Sequence, residues 1–200
     1  MSRKNLNADN IAFKELGSLQ EKVVFFLAEN PENHKQTIQK GIKHPAEQYG
    51  SVKKAVDKLE ELGYIKSKKA MSQKKVEIKN YECTELGVFY AFARNPNANI
   101  PKILDGYESR VEFCKSFRAL YNVWGHDNFT MFLRDLGEFL PMVRKHGVEL
   151  AVPYLLMKIL KQMQNIDWKT RKKIVSEALK QFPKNKQMLK DLRKNINEVL

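Results

Sequence analysis

The chain has 200 residues, of which 36 are basic and 23 acidic, so it carries a net charge of +13 and a pI near 9.6. A pI above 9 is typical of domains that bind nucleic acid, and this length allows one large domain or two small ones. The sequence has no Gly-rich phosphate loop, no Gly-x-Ser-x-Gly motif and no metal-ligand spacing, which argues against an enzyme, a metal or another cofactor. Residues 1–10 are polar, so we expect no signal peptide, no membrane association and a cytoplasmic location.

Residues 18–30 are predicted to form a helix, preceded by a short leading helix over residues 10–16. Ser18 is a candidate N-cap, and Glu21 lies three residues later, as in a capping box. Pro31 ends the helix because proline cannot continue it. The predicted packed face consists of Val23, Val24, Phe26 and Leu27.

Residues 49–62 form a clearly amphipathic segment. On a helical wheel of about 100° per residue, one side is apolar and predicts a core face, made of Val52, Ala55, Val56, Leu59 and Leu62. The opposite side carries Lys53, Lys54 and Lys58, together with two acids, Asp57 and Glu61. Gly63 follows as a stop, because glycine takes the left-handed conformation without strain.

Residues 64–83 are predicted to form a β-hairpin. The first strand opens at Tyr64 and the second ends at Cys83, with apolar and polar residues interleaved along the second. Between residues 66 and 79 there are six lysines and a single acid, Glu77. Such a hairpin suits the phosphate backbone of nucleic acid, since each lysine placed against a phosphate releases condensed counterions.

Three stretches of this region resemble the winged helix-turn-helix domains of bacterial and archaeal transcription regulators, including the MarR-like and PadR-like groups. They are residues 36–42 (QTIQKGI), residues 51–65, which end in LEELGYI, and residues 81–87 (YECTELG). The likeness covers residues 18–95 and departs from the family at residues 43–48, where the turn is longer than a minimal one. It implies a double-stranded DNA partner, with a recognition helix in the major groove and a basic wing on the phosphate backbone. The contact residues implied are Ser51, Lys53, Lys54 and Lys58 on the helix and Lys68, Lys69, Lys74 and Lys75 on the wing.

An interaction adaptor remains the alternative function. Winged helices also serve as protein-interaction modules, because a fold does not fix a function. In that case the winged helix contacts another protein and the basic surface only keeps the chain in solution. Asp57 and Glu61 favour this alternative slightly, since they repel phosphate unless they lie above the groove or accept a hydrogen bond from cytosine.

The second half of the chain is predicted to be all helix. Thr84 caps a helix over residues 84–94, and the Pro- and Asn-rich residues 94–101 then mark a boundary. We therefore predict a mainly α fold with two domains, a winged helix-turn-helix in residues 1–96 and an all-α helical domain in residues 97–200. Helices are predicted over residues 103–124, 129–143, 148–163, 168–182 and 184–199, with Gly125 and Gly147 as stops and Pro141 as a kink or end.

The C-terminal helices predict a homodimer. A regulator that reads a palindrome needs two copies about one turn of DNA apart. Residues 148–163 are apolar nearly all round, and the last helix has the spacing of a short coiled-coil seam, at Leu189, Leu192, Ile196 and Val199. Packing within one chain explains the seam equally well. The basic residues 168–200 are either a solvated face or a second phosphate-contacting surface.

Aromatic side chains at helical spacing are either plain core or the lining of a pocket for a small-molecule effector. The set comprises Phe117, Tyr121, Trp124, Phe129, Phe132 and Phe139. Nothing in the sequence requires an effector. Cys83 and Cys114 are predicted to be small buried hydrophobes rather than a disulfide, and the four scattered histidines form no pair at metal-ligand spacing.

Overall fold

The computed structural model describes residues 16–71 and 77–147, together with Asp167 and Lys169. In these ranges the protein is mainly helical, with one small two-stranded antiparallel sheet, so the predicted mainly α class is confirmed. Several predicted segments lie outside the described residues. They are the leading helix before residue 16, the hairpin tip at residues 72–76 and the three helices within residues 148–199.

Three helices precede the hairpin: α1 (Ser18–Glu29), α2 (Lys35–Gly41) and α3 (Tyr49–Glu61). The predicted capping box at the start of α1 is wrong in its residues. Gly17 is the N-cap, and its N–H donates to Gln20 Oε1 at 2.9 Å. The Glu21 carboxylate instead accepts a hydrogen bond from the Tyr90 hydroxyl at 2.7 Å, because a tertiary contact competes for this side chain.

The amphipathic pattern of α3 is confirmed. Its apolar side faces the core, with Val52, Ala55, Val56 and Leu59 buried and Leu62 partly buried. Gly63 ends the helix with a φ of +77°. The conformation is left-handed, as the stop signal requires. Among the described residues α3 packs against α1 and α2, so one side of the helix is covered and the other is free.

The predicted hairpin is also confirmed. Strands β1 (Ile65–Met71) and β2 (Glu77–Cys83) pair antiparallel, with Ile65 opposite Cys83 and Lys66 opposite Glu82. Asn33, between α1 and α2, extends this sheet by one bridge to Tyr81, with backbone N–H to O distances of 3.1 and 2.8 Å. The base of the hairpin is therefore held at its β2 edge by the chain that leaves α1.

Helix α4 (Glu85–Arg94) begins where the sequence predicts. The Thr84 hydroxyl accepts from the Gly87 N–H at 3.3 Å and donates to the Gly63 carbonyl oxygen at 2.6 Å. Gly87 is required by close packing, because a Cβ at this position would overlap the Tyr64 carbonyl oxygen. The cap and this glycine join the start of α4 to the turn that follows α3.

Three helices follow: α5 (Ile100–Tyr107), α6 (Glu112–Asp135) and α7 (Leu140–His146). The predicted single helix over residues 103–124 is wrong, because a turn at residues 108–111 separates α5 from α6. The turn is closed by bonds from the Arg110 and Val111 N–H groups to the Tyr107 carbonyl oxygen, at 2.9 and 2.8 Å. Since Tyr107, Val111 and Cys114 are all buried, the apolar spacing continues across the break and conceals it.

The predictions for the two helix breakers differ in outcome. Gly125 interrupts the helical conformation inside α6 with a φ of +75°, as expected of a stop. Pro141 neither kinks nor ends a helix. It lies in the first turn of α7, where its missing N–H has no helical partner to lose, and a 3-10 turn at Leu136–Phe139 comes before it.

The hydrophobic core of the described residues is continuous from α1 to α7 and includes residues on both sides of Pro96. Helices α1 and α4 lie at its centre. Helix α1 contacts α3, α4, α5 and β2, and α4 contacts α6, α7 and β2 as well as α1. Most of the aromatic set proposed for an effector pocket is buried in ring-to-ring contacts, with Phe117 meeting Phe129 and Phe132 edge to face at 5.7 and 5.3 Å. These contacts support the plain-core interpretation. The division into two domains at Pro96 stays a prediction.

Candidate functional site

The outer side of α3 is the first part of the candidate site. Of the predicted contact residues, Ser51, Lys53, Lys54 and Lys58 are all exposed there. The long turn before α3 is held by Gln39, which is buried and donates from Nε2 to the carbonyl oxygens of Pro45 at 2.7 Å and Ala46 at 3.2 Å. Sequence reasoning missed this glutamine. Its two hydrogen bonds fix the conformation of a turn that is longer than a minimal one.

The lysines on this side of α3 differ in their partners. Lys58 pairs with Glu61, three residues on, at 2.9 Å. Lys53 and Lys54 form no ion pair with any residue that the structure describes. Positive charge that is free to meet an anionic partner is thus concentrated in the N-terminal half of the helix.

Asp57, the acid in the middle of this surface, is paired. The ammonium group of Lys35 contacts its carboxylate and lies 5.5 Å from the centre of the Tyr81 ring. Burial of Lys35 acts to lower its pKa, but the hydrogen bond and charge of Asp57 and the Tyr81 hydroxyl outweigh it, and the net pKa is raised. Lys35 is therefore a stable cation, and it compensates the charge that would repel phosphate.

The hairpin is the second part of the candidate site. Lys69 pairs with Glu77 across the strands at 2.9 Å, and Lys68 pairs with Glu82 at 2.9 Å. Lys79 is exposed and has no ion pair with the described residues. Lys74 and Lys75 lie outside the described residues. Two of the four predicted wing lysines are thus partly neutralised within the hairpin.

Glu82 is the centre of a charged cluster that sequence reasoning missed. Its side chain is only 2% exposed, yet it meets Lys66 at 3.2 Å, Lys68 at 2.9 Å and Arg110 at 2.6 Å. Arg110 also contacts Glu32 at 2.8 Å. Burial acts to raise the pKa of Glu82, but the ammonium groups of Lys68 and Lys66 outweigh it and hold the pKa below its usual value. The register of the strands predicts the lysine contacts, whereas no sequence signal points to Arg110.

An open cleft of about 390 Å³ lies beside this cluster, between the base of the hairpin and the start of α4. Its walls include Lys66, Thr84, Arg110 and Val143. Lys66 and Arg110 already pair with Glu82, so most of their positive charge is neutralised within the protein. The cleft offers an anionic ligand little uncompensated charge.

Both cysteines are free and buried, as predicted. Burial raises the pKa of the Cys83 thiol to about 12 and that of Cys114 still further, so neither forms the reactive thiolate at neutral pH. Within residues 16–71 and 77–147, no group of three or more His, Cys, Asp or Glu side chains is placed to hold a metal ion. Over the same residues, every helix is either too short or too polar to traverse a lipid bilayer.

Comparison of the chain with protein-family models, with curated proteins and with solved structures found no match. The candidate site therefore consists of two surfaces, the lysine-bearing side of α3 and the lysine-rich hairpin that follows it. Function is therefore inferred from the residues of this chain alone.

Proposed function

We propose that the protein is a sequence-specific double-stranded DNA-binding transcriptional regulator built on a winged helix-turn-helix. The observation that carries the proposal is the exposed pair Lys53 and Lys54 on the outer side of α3, which forms no ion pair with the described residues, in a chain of net charge +13. A helix of this kind presents its N-terminal turns to base edges. Lysines at that end suit the major groove and its flanking phosphates.

The order of the elements supports the winged helix-turn-helix. α1 is followed by the single bridge at Asn33, then by α2, α3 and the hairpin. The hairpin follows α3 directly, through Gly63. In the proposed complex α3 enters the major groove, and the exposed lysines of the hairpin lie along the phosphate backbone, as in other winged proteins of this architecture.

The proposed complex contains two copies of the chain, bound to the two halves of a palindromic site. The helices predicted to form the dimer, in residues 148–199, lie outside the described residues, so the dimer stays a prediction. Light scattering tests it directly, and a strict monomer at high micromolar concentration would count against it.

A protein-interaction adaptor is the second candidate. The observation in its favour is the internal pairing of Lys58, Lys68 and Lys69 with acidic neighbours, which reduces the positive charge available to phosphate. The pairs of Lys58 and Lys69 are exposed on both sides, and exposed ion pairs contribute little energy and are easily exchanged for a phosphate partner. Lys68 differs, because it contacts the buried carboxylate of Glu82. We therefore retain DNA binding as the main proposal.

A salt titration separates the two candidates. Binding to a random duplex is measured by fluorescence anisotropy between about 50 and 200 mM salt, a range in which phosphate contacts weaken affinity steeply. A DNA-binding protein gives a linear fall of log affinity with log salt, and an adaptor gives no measurable slope even at low salt. Selection of bound fragments from genomic DNA then tests sequence specificity, and the absence of enriched sequences would contradict it.

A further inference from the structure

Three successive residues of β2 are held by two other parts of the chain, one after α1 and one at the end of α5. Tyr81 is bridged by Asn33 through two backbone hydrogen bonds. The Glu82 carboxylate contacts the Arg110 guanidinium at 2.6 Å, and the Cys83 N–H donates to the Tyr107 hydroxyl at 2.9 Å. Tyr107 is the last residue of α5 and Arg110 lies in the turn that follows it, so this short stretch contacts consecutive residues at the base of the hairpin.

The two carboxylate oxygens of Glu82 have separate partners. Lys66 and Lys68, both on β1, approach Oε1, while Arg110 approaches Oε2. Arg110 also reaches Glu32, which precedes the bridging Asn33. Arg110 thus links the hairpin to the turn after α1 and to the turn before α6. Among the described residues, a longer contact of 3.9 Å between Lys68 and Glu32 also joins the hairpin to the turn after α1.

In the outer half of the hairpin, the residues that the structure describes have no such ties to other described parts of the chain. Met71 is 67% exposed, and Lys69, Glu77 and Lys79 are exposed as well. The five residue-to-residue steps from Glu82 to Glu77 span about 17 Å at roughly 3.3 Å per residue. A tilt of about 10° at the base would therefore move the outer end by about 3 Å, which is enough to break a hydrogen bond to a phosphate.

We propose that Arg110, acting through the buried carboxylate of Glu82, is a positioning residue that sets the direction of the lysine hairpin relative to α3. Its effect on DNA binding rests on the function proposed above. The effect on the hairpin itself does not depend on that function.

The first test is hydrogen exchange of the full chain without DNA. In Arg110→Gln we expect the amides of residues 65–71 and 77–83 to exchange at least severalfold faster, while the amides of α3 keep their rates. Arg110→Lys, which retains a cation, should restore part of the protection. Arg118→Gln is the matched control, because Arg118 forms ion pairs with Asp105 of α5 and with Glu108 of the turn rather than with the hairpin. Unchanged hairpin exchange in Arg110→Gln, or an equal rise in α1, α3 and the hairpin, would overturn the proposal.

The second test uses DNA and distinguishes positioning from simple charge. Glu82→Gln adds one unit of positive net charge, so electrostatics alone predicts tighter binding to a duplex. A positioning role predicts the opposite, a severalfold weaker affinity together with faster hairpin exchange. Tighter binding with unchanged exchange would therefore refute the role of the Glu82 and Arg110 pair. If the wild-type chain binds no DNA, the proposed function fails, while the exchange experiment still decides the role of Arg110.

Discussion

The ammonium group of Lys35, at the first residue of α2, contacts the carboxylate of Asp57 on α3. The pair joins two helices whose residues are 22 positions apart in the chain. Asp57 lies between Lys54 and Lys58 on the side of α3 proposed to meet DNA, so Lys35 determines whether that side carries an uncompensated acid.

Removing Lys35 should lower the affinity for DNA, whereas removing Asp57 should raise it. Lys35→Met leaves Asp57 uncompensated, and we expect affinity to fall roughly fivefold, since a unit charge about 4 Å away in water contributes about 1 kcal/mol. Asp57→Asn frees Lys35 and should raise affinity. The double variant should lie near the wild type. Anisotropy titrations of all four proteins check this, and equal affinities would show that Asp57 lies away from phosphate.

The pair Lys53→Ala with Lys54→Ala should lower affinity and reduce the salt slope by about two, because each phosphate contact contributes about 0.9 to that slope. Lys115→Ala with Lys145→Ala is the matched control. It removes the same charge from two exposed positions on α6 and α7, helices that pack on α4 rather than on α3. If both pairs reduce the slope equally, the lysines of α3 have no special role.

Gly87→Ala should destabilise the fold by about 1–3 kcal/mol, as expected when a well-packed site is overfilled. The added Cβ would overlap the Tyr64 carbonyl oxygen and separate α4 from the turn after α3. Gly50→Ala provides a contrast, because nothing lies within 4 Å of its Cβ position, and removing a helical glycine should stabilise α3 by about 0.5–1 kcal/mol. Urea denaturation measures both changes, and a neutral Gly87→Ala would contradict the close approach.

Tyr107→Phe should cost about 1–3 kcal/mol, the penalty for leaving buried polar groups unpaired. The Tyr107 hydroxyl donates to the Leu27 carbonyl oxygen at 2.9 Å and accepts from the Cys83 N–H at 2.9 Å. Leu27 needs this donor because the residue four positions on is Pro31, which has no N–H.

Tyr121→Phe is the control for Tyr107→Phe. Its hydroxyl has no hydrogen bond to the described residues, so its removal should change the free energy of unfolding by less than about 0.5 kcal/mol. Thermal and urea unfolding of the two variants give the comparison. Similar losses in both would show that the Tyr107 hydroxyl does not stabilise the core.

The stabilisation by Glu82 should depend on pH. Burial acts to raise its pKa in the folded protein, but the ammonium groups of Lys68 and Lys66 outweigh burial and lower the pKa. Arg110 meets the other carboxylate oxygen and also contacts Glu32. Because the folded pKa lies below the unfolded value of about 4.3, the contribution is complete above that value and is lost as the pH falls through the folded pKa. The difference in unfolding free energy between wild type and Glu82→Gln should therefore shrink from pH 6 to pH 3. A constant difference would contradict the ion pairing.

Much of the fold follows from local sequence signals. The apolar stripe of α3, the stop at Gly63, the two strands and the Thr84 cap were all predicted from residues within a few positions of each other, and all are confirmed. These features depend on backbone conformation and on neighbours along the chain. Such signals are present in the sequence itself.

Tertiary structure alone decided the break between α5 and α6 and the partners of the charged side chains. The apolar period continues through residues 108–111, so periodicity does not reveal the turn. In the structure the Tyr107 hydroxyl, at the end of α5, donates to the Leu27 carbonyl oxygen of α1, a contact that the sequence does not predict. Arg110 and Glu82 are 28 residues apart in the chain, and they meet because α5 and β2 both pack against α1. An ion pair depends on distance in space, which composition and spacing do not encode. The sequence therefore determined where positive charge is abundant, and the tertiary structure decided which of those charges are free.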